Sequence, residues 1–156
     1  MKKLGLIVLL AVVMVSCSSD TIFEKRESFP DLKWNRFKEL TFNVPVTNVE
    51  DGYDIILTLR HITQYPFDNL SVEFLTVSPS GEERVSSHSI PLKNKDGKFI
   101  GDVAGDLWDV EFKLREYVVF SEKGTYKMTI GNTMTYLDTP GIMDIGLKVV
   151  KSKIEL

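Results

Sequence analysis

From Gly52 onward the chain alternates, and that period of two limits it to extended structure. Tyr53, Ile55, Leu57 and Leu59 fall on one side, with Asp54, Thr58 and Arg60 on the other. This is the signature of a strand with one buried face. Leu70, Val72 and Phe74 repeat it as far as Val77, and Pro79-Ser80-Gly81 closes the run. Glu82 to Ile90 reads as a more polar strand that Pro91 stops. Further runs cover Lys98 to Val103 and Trp108 to Phe120, where Val110, Phe112 and Leu114 alternate with charge. Tyr126, Met128 and Ile130 follow, then Ile145, Leu147 and Val149. Turn residues separate the runs: Glu50-Asp51-Gly52, Lys95-Asp96-Gly97, Glu122-Lys123-Gly124 and Thr139-Pro140-Gly141. No long segment after the first residues carries an apolar i, i+3, i+4 stripe, although Trp108 to Tyr117 could also form a helical turn. The pattern predicts an all-β fold, an antiparallel β-sandwich of jelly-roll or Ig-like type with about seven to nine strands.

The start of the chain obeys different rules. Met1-Lys2-Lys3 precedes an apolar run from Leu4 to Val15, and Ser16-Cys17 follows. A membrane span needs roughly 20 apolar residues, and this run is shorter. It has the layout of a secretory signal, and Met14-Val15-Ser16-Cys17 resembles a lipobox. Cys17 is the only cysteine, so it has no partner for a disulfide within the chain. The expected organisation is a signal peptide over 1–16, a lipidated Cys17 opening a tether over 17–35, and one sandwich domain over 36–156. Without Lys2 and Lys3, 17 basic residues face 22 acidic ones, a net of −5. That balance argues against nucleic acid and leaves membrane attachment to the acyl chains. Ser18 and Ser19 follow the anchor with no immediate aspartate. By resemblance to known sorting rules, this favours the outer membrane facing the periplasm.

Residues able to do chemistry are few. His61 continues the Tyr53–Leu59 face and His88 lies in a serine-rich strand, but neither has neighbours at metal-ligand spacing. Ser86, Ser87 and Ser89 flank His88 without making a triad by themselves. No catalytic set is expected, no cofactor and no metal. Gly101 to Asp109 concentrates Asp102, Asp106 and Asp109 around Trp108. Calcium binding and turn capping are both open to such a loop; the spacing does not match a calcium loop, which favours capping. Trp108 is expected to plug one end of the core, and Trp34 with Phe37 to form a docked first strand.

Several strings together resemble the GldH gliding-motility lipoproteins of the Bacteroidetes. They are Arg60-His61-Ile62-Thr63-Gln64-Tyr65-Pro66-Phe67-Asp68-Asn69-Leu70, Gly97 to Gly101, Gly105-Asp106-Leu107-Trp108-Asp109, Phe120 to Tyr126, and Pro140-Gly141-Ile142-Met143-Asp144-Ile145-Gly146-Leu147. Ile145 stands where the family more often has Val. The strings run in order along nearly the whole mature chain. The resemblance implies a non-enzymatic envelope lipoprotein, accessory to gliding motility and type IX secretion. It would act by protein–protein contact with envelope proteins of that complex. It carries over no catalytic residues. Tyr65, Pro66, Phe67 and Asn69, with Asp106, Trp108 and Asp109, are the candidate interaction surface. The alternative is an outer-membrane carbohydrate-binding sandwich, with Trp108, Trp34 and the tyrosines as sugar platforms.

Overall fold

The alternating runs become hydrogen-bonded ladders. The structure is a computed structural model that describes residues 20–153. Among these run eleven strands: β1 (Thr21–Ser28), β2 (Lys33–Asn35), β3 (Leu40–Val46), β4 (Gly52–Ile62), β5 (Asn69–Val77), β6 (Glu83–Pro91), β7 (Asp102–Ala104), β8 (Leu107–Val119), β9 (Gly124–Asn132), β10 (Asp138–Pro140) and β11 (Ile142–Lys151). Three of them, β2, β7 and β10, are only three residues long. The eight longer strands make up the sandwich that the alternation predicts.

One sheet has the order β1-β11-β4-β8-β7 and the other β3-β9-β5-β6, with β10-β2 a separate small ladder. All the pairings are antiparallel. Leu57, Leu59, Ile145 and Leu147 from the first sheet share one core with Val72, Phe74, Met128 and Ile130 from the second. Burying each such side chain is worth about 1.5–3 kcal/mol, so this shared layer holds the sheets together. Central β4 is buried on both faces, Asp54, Ile56 and Thr58 included. Arg26, Lys113 and Lys148 from neighbouring strands reach carboxylates across that outer face.

The N-terminal boundary needs correction. The expected tether over 17–35 is strand from Thr21, and the domain begins there, not at residue 36. β1 pairs with β11 from Thr21↔Val150 to Ser28↔Asp144. Trp34 is fully buried against Phe29, and its Nε1 donates to the Lys38 carbonyl at 2.8 Å. Alternation is hard to see here because β1 is an edge strand with a register shift near Thr21, and it exposes Glu24, Lys25 and Arg26. Phe37, expected to dock beside Trp34, is instead 81% exposed. The segment from Trp108 to Tyr117 is strand, without a helical turn. Lys98 to Val103 yields only β7 and an isolated bridge between Phe99 and Lys93. Cys17 and the signal peptide lie outside the described residues.

Candidate interaction surface at one end of the sandwich

β4 brings Arg60, His61 and Ile62 to the same end of the sandwich where β8 begins, with Ile62 opposite Leu107 and Arg60 opposite Asp109. β11 begins there too, Ile142 opposite His61. Four of the five strings that carry the family resemblance therefore meet at one end, Phe120 to Tyr126 being the exception, beside Gly52 and Tyr53. The described chain starts at the other, where Asp20 accepts a hydrogen bond from the Lys151 amide. β4 alone has eleven residues, so the two ends stand roughly 35 Å apart at a strand rise of about 3.3 Å.

The two candidate loops are bonded to each other. The Asp106 carbonyl accepts from the Thr63 amide at 2.9 Å and from the Thr63 hydroxyl at 3.1 Å. Trp108 Nε1 donates to that same hydroxyl at 3.3 Å. Gly105 and Asp106 form the two-residue turn between β7 and β8, with Gly105 at φ 62°. Positive φ at the first turn position is the type II′ hairpin, where glycine is the favoured residue.

Asp109 overturns the capping reading at its position. It lies in a strand, and Arg60 donates to its two oxygens at 2.8 and 2.9 Å. The Arg60 guanidinium beside it holds the carboxyl below its ordinary range. Arg26 extends the cluster, 2.9 Å from Asp144 and 3.9 Å from Asp109. Asp102 and Asp106 are exposed. Among the described residues no three His, Cys, Asp or Glu side chains come together as metal ligands.

Beneath the loops runs a chain of aromatic contacts. Trp108 packs on Phe99 with centroids 5.6 Å apart, Phe99 on His61 at 4.9 Å, and His61 on Tyr65 at 5.3 Å. Tyr65 meets Phe67 edge-on at 5.5 Å, and Phe67 stacks on Tyr136 at 5.1 Å. Tyr65 is buried, with its hydroxyl donating to the Asn69 carbonyl at 2.9 Å. Gly141 sits over it at φ 84°, where an added Cβ would lie 3.1 Å from the Tyr65 Cα. Both the backbone angle and the close approach call for glycine. Trp108 is half-buried and only partly plugs the end. Asn69 bonds Ser89 across the β5–β6 hairpin, and Pro66 is exposed.

His61 is fully buried. Its Nδ1 lies 3.0 Å from the Ile62 carbonyl, which makes Nδ1 the protonated nitrogen. Nε2 then has no partner among the described residues. Burial pushes its pKa down. On β6, Ser86 and His88 share a face, and Ser86 Oγ lies 2.9 Å from His88 Nε2. This is one nucleophile–base contact, but no carboxylate is bonded to the other ring nitrogen.

Of the seven residues singled out from sequence, the fold gathers all at this end, yet Tyr65 and Asp109 are framework. The exposed apolar surface lies beside them on Phe37, Tyr136 and Leu137. The Arg36 amide donates to the Leu137 carbonyl at 2.8 Å, which ties that group together. Sequence gave one hint of it, since Tyr136 and Leu137 fall outside any alternating run.

The fold and its motif end define a two-sheet antiparallel β-sandwich domain, with exposed aromatics beside the locked loops. Comparison with known proteins gives the particular family: the chain belongs to the GldH lipoproteins, whose family model matches residues 21–149. It is 28% identical over 155 residues to a gliding motility lipoprotein GldH of Flavobacterium johnsoniae, covering 95% of this chain and 96% of that one. A gliding motility lipoprotein GldH homolog of Christiangramia forsetii is 22% identical over 148 residues, 90% of each chain. No solved structure matches.

Proposed function

We propose that this chain is a non-enzymatic adaptor of the cell envelope, held by a lipid on Cys17 in the outer membrane and facing the periplasm. It would assemble with proteins of a gliding and type IX secretion complex through the motif end. The observation that carries this reading is the separation of the two ends. Four residues lead from Cys17 to Thr21, a reach of at most about 14 Å. The anchor thus holds the end bearing Asp20 near the bilayer, and exposed Phe37, Tyr136 and Leu137, with half-buried Phe67 beside them, lie at the far end. Exposed aromatics near a rigid framework suit a protein contact.

The test is photocrosslinking in intact cells from positions 67 and 136, with Cys17→Ser as the anchor control. Adducts with one or two envelope proteins from both positions are expected, and they should fall when Cys17 is replaced. Adducts spread over abundant outer-membrane proteins would overturn the adaptor reading.

A further inference from the structure

Two sheet edges lie along one flank of the sandwich. β6 has no strand beyond it among the described residues, and β7 covers β8 only from Leu107 to Asp109. The edges are guarded differently. β8 has register shifts opposite Tyr53 to Ile56 and carries Glu111, Lys113, Arg115 and Glu116. Bulges and charges of this kind keep an edge from pairing. β6 follows β5 without a shift from Glu83 to Pro91. Its stretch Val85-Ser86-Ser87-His88-Ser89-Ile90 has no acidic or basic guard apart from His88, and burial and Arg115 push the His88 pKa down. A regular, uncharged edge offers its backbone groups to another strand.

Beside the start of β6 a hollow opens between the two edges, with about 40 Å³ of room and apolar walls of Ile55, Val118, Phe120 and Tyr126; the one carboxylate that lines it, Glu82, is paired with Arg84. Two polar groups that line it have spare hydrogen-bonding capacity. Thr76 Oγ1 is buried with no hydrogen bond among the described residues. The half-buried Arg115 guanidinium lies 5.4 Å from the Phe74 ring centre and makes one long bond, 3.3 Å, to the Arg84 carbonyl. No carboxylate of the described chain pairs with it. A guanidinium has five donors, and an arginine is at its strongest in a two-pronged bond to a carboxylate. The room equals roughly three waters at 10–15 Å³ each, enough for the end of one side chain and too little for a sugar or an acyl chain.

We propose that the hollow receives an aspartate or glutamate side chain from an extended segment of a partner protein that adds to β6 as a fifth strand. Main-chain bonds along β6 hold the segment. Arg84, Ser86, His88 and Ile90 form the inward row of β6: Arg84 lines the hollow, His88 meets Phe112 across the sheets and Ile90 is buried. The inward residues of the added strand continue that row, and the acid among them reaches Arg115 and the Thr76 hydroxyl. This rests on the reading of the chain as a protein-binding lipoprotein, but it uses the flank and leaves the motif end free.

The test places a photoreactive residue at Val85, which is outward and 58% exposed, in the full-length chain in its own cells. The adduct is then mapped by mass spectrometry. The expected adduct joins Val85 to an extended segment with an acidic residue within three positions. Arg115→Gln should lower its yield at least tenfold, Arg115→Lys less, and Ser87→Lys should abolish it by charging the edge. Where Arg115→Gln unfolds the chain, an acid-to-amide change in the mapped segment gives the same comparison with this protein intact. An adduct between two copies of this chain, a yield indifferent to those changes, or no adduct overturns the proposal. If position 136 still crosslinks, only the edge site falls; if both positions fail, the adaptor reading falls with it.

Discussion

Arg60 and Asp109 face each other across β4 and β8 in a two-pronged bond, 2.8 and 2.9 Å long. The pair joins the two loops of the motif end through their first framework residues. Each side chain is about one-third exposed, 36% and 33%, so solvent screens part of the attraction. Asp109→Asn should cost about 1–2 kcal/mol in urea unfolding, below the full value of a charged hydrogen bond. The sign with pH follows from the lowered Asp109 pKa. Its contribution is present above the unfolded carboxylate value of about 3.9 and is lost as pH falls through the folded one. The difference between wild type and Asp109→Asn should therefore shrink in acid. A constant difference down to the lowest pH at which the chain stays folded would remove the ion pair as its cause.

Gly146 faces Thr58 on one neighbour and Arg26 on the other. A Cβ there would lie 2.6 Å from the Arg26 Cγ and the Thr58 Oγ1, and 2.7 Å from the Lys25 carbonyl oxygen. The last is backbone and cannot swing aside. Gly146→Ala should lower stability by about 1–3 kcal/mol through overpacking. Gly131→Ala meets nothing within 4 Å, and should change stability by under about 0.5 kcal/mol, as quiet surface positions do. Thermal melts of the two variants make the comparison; equal losses would show that crowding at position 146 is not the cause.

His61 is buried as the neutral ring, and its pKa lies below the usual value. A lowered histidine contributes stability above the unfolded pKa near 6.5, and this is lost as pH falls through the folded pKa. At full effect one proton changes stability by about 1.4 kcal/mol per pH unit. His61→Phe keeps an aromatic ring between Tyr65 and Phe99 and removes the unpartnered nitrogen. It should flatten the dependence below pH 6.5, leaving the part due to His88, whose pKa burial also lowers. Unfolding midpoints at pH 7 and pH 5 decide it, and an unchanged slope in His61→Phe would place the titration elsewhere.

The strands legible in sequence were those with one wet face. β5 and β9 alternate because their outer faces meet solvent, and β4 keeps the pattern through Asp54, Thr58 and Arg60 although neighbours cover them. β1 was not legible, because an edge strand with three exposed charged residues looks like a linker until its partner is known. At the motif end, spacing along the chain located the loops but not their chemistry. Arg60 and Asp109 are 49 residues apart and Arg26 and Asp144 are 118 apart, so only the β4–β8 and β1–β11 registers turn those charges into pairs. Tyr65 looked like a loop residue available to a partner. Its burial follows from Gly141, which comes from β11's approach.

The corrected boundary can be tested by shortening the chain. Residues 36–156 lack β1, Phe29 and Trp34, and so expose the outer edge of β11 and the core cavity that Trp34 fills. Loss of a large buried aromatic alone costs about 3–5 kcal/mol, and a whole domain has only about 5–15 kcal/mol in hand. The shortened chain should therefore fail to show a cooperative melt, whereas residues 20–156 should melt as one unit. Trp34→Phe separates the two contributions. It keeps most of the packing, loses the Nε1 bond to the Lys38 carbonyl, and should fold with a lower midpoint. Cooperative folding of residues 36–156 would restore the tether and make β1 an accessory to the sheet.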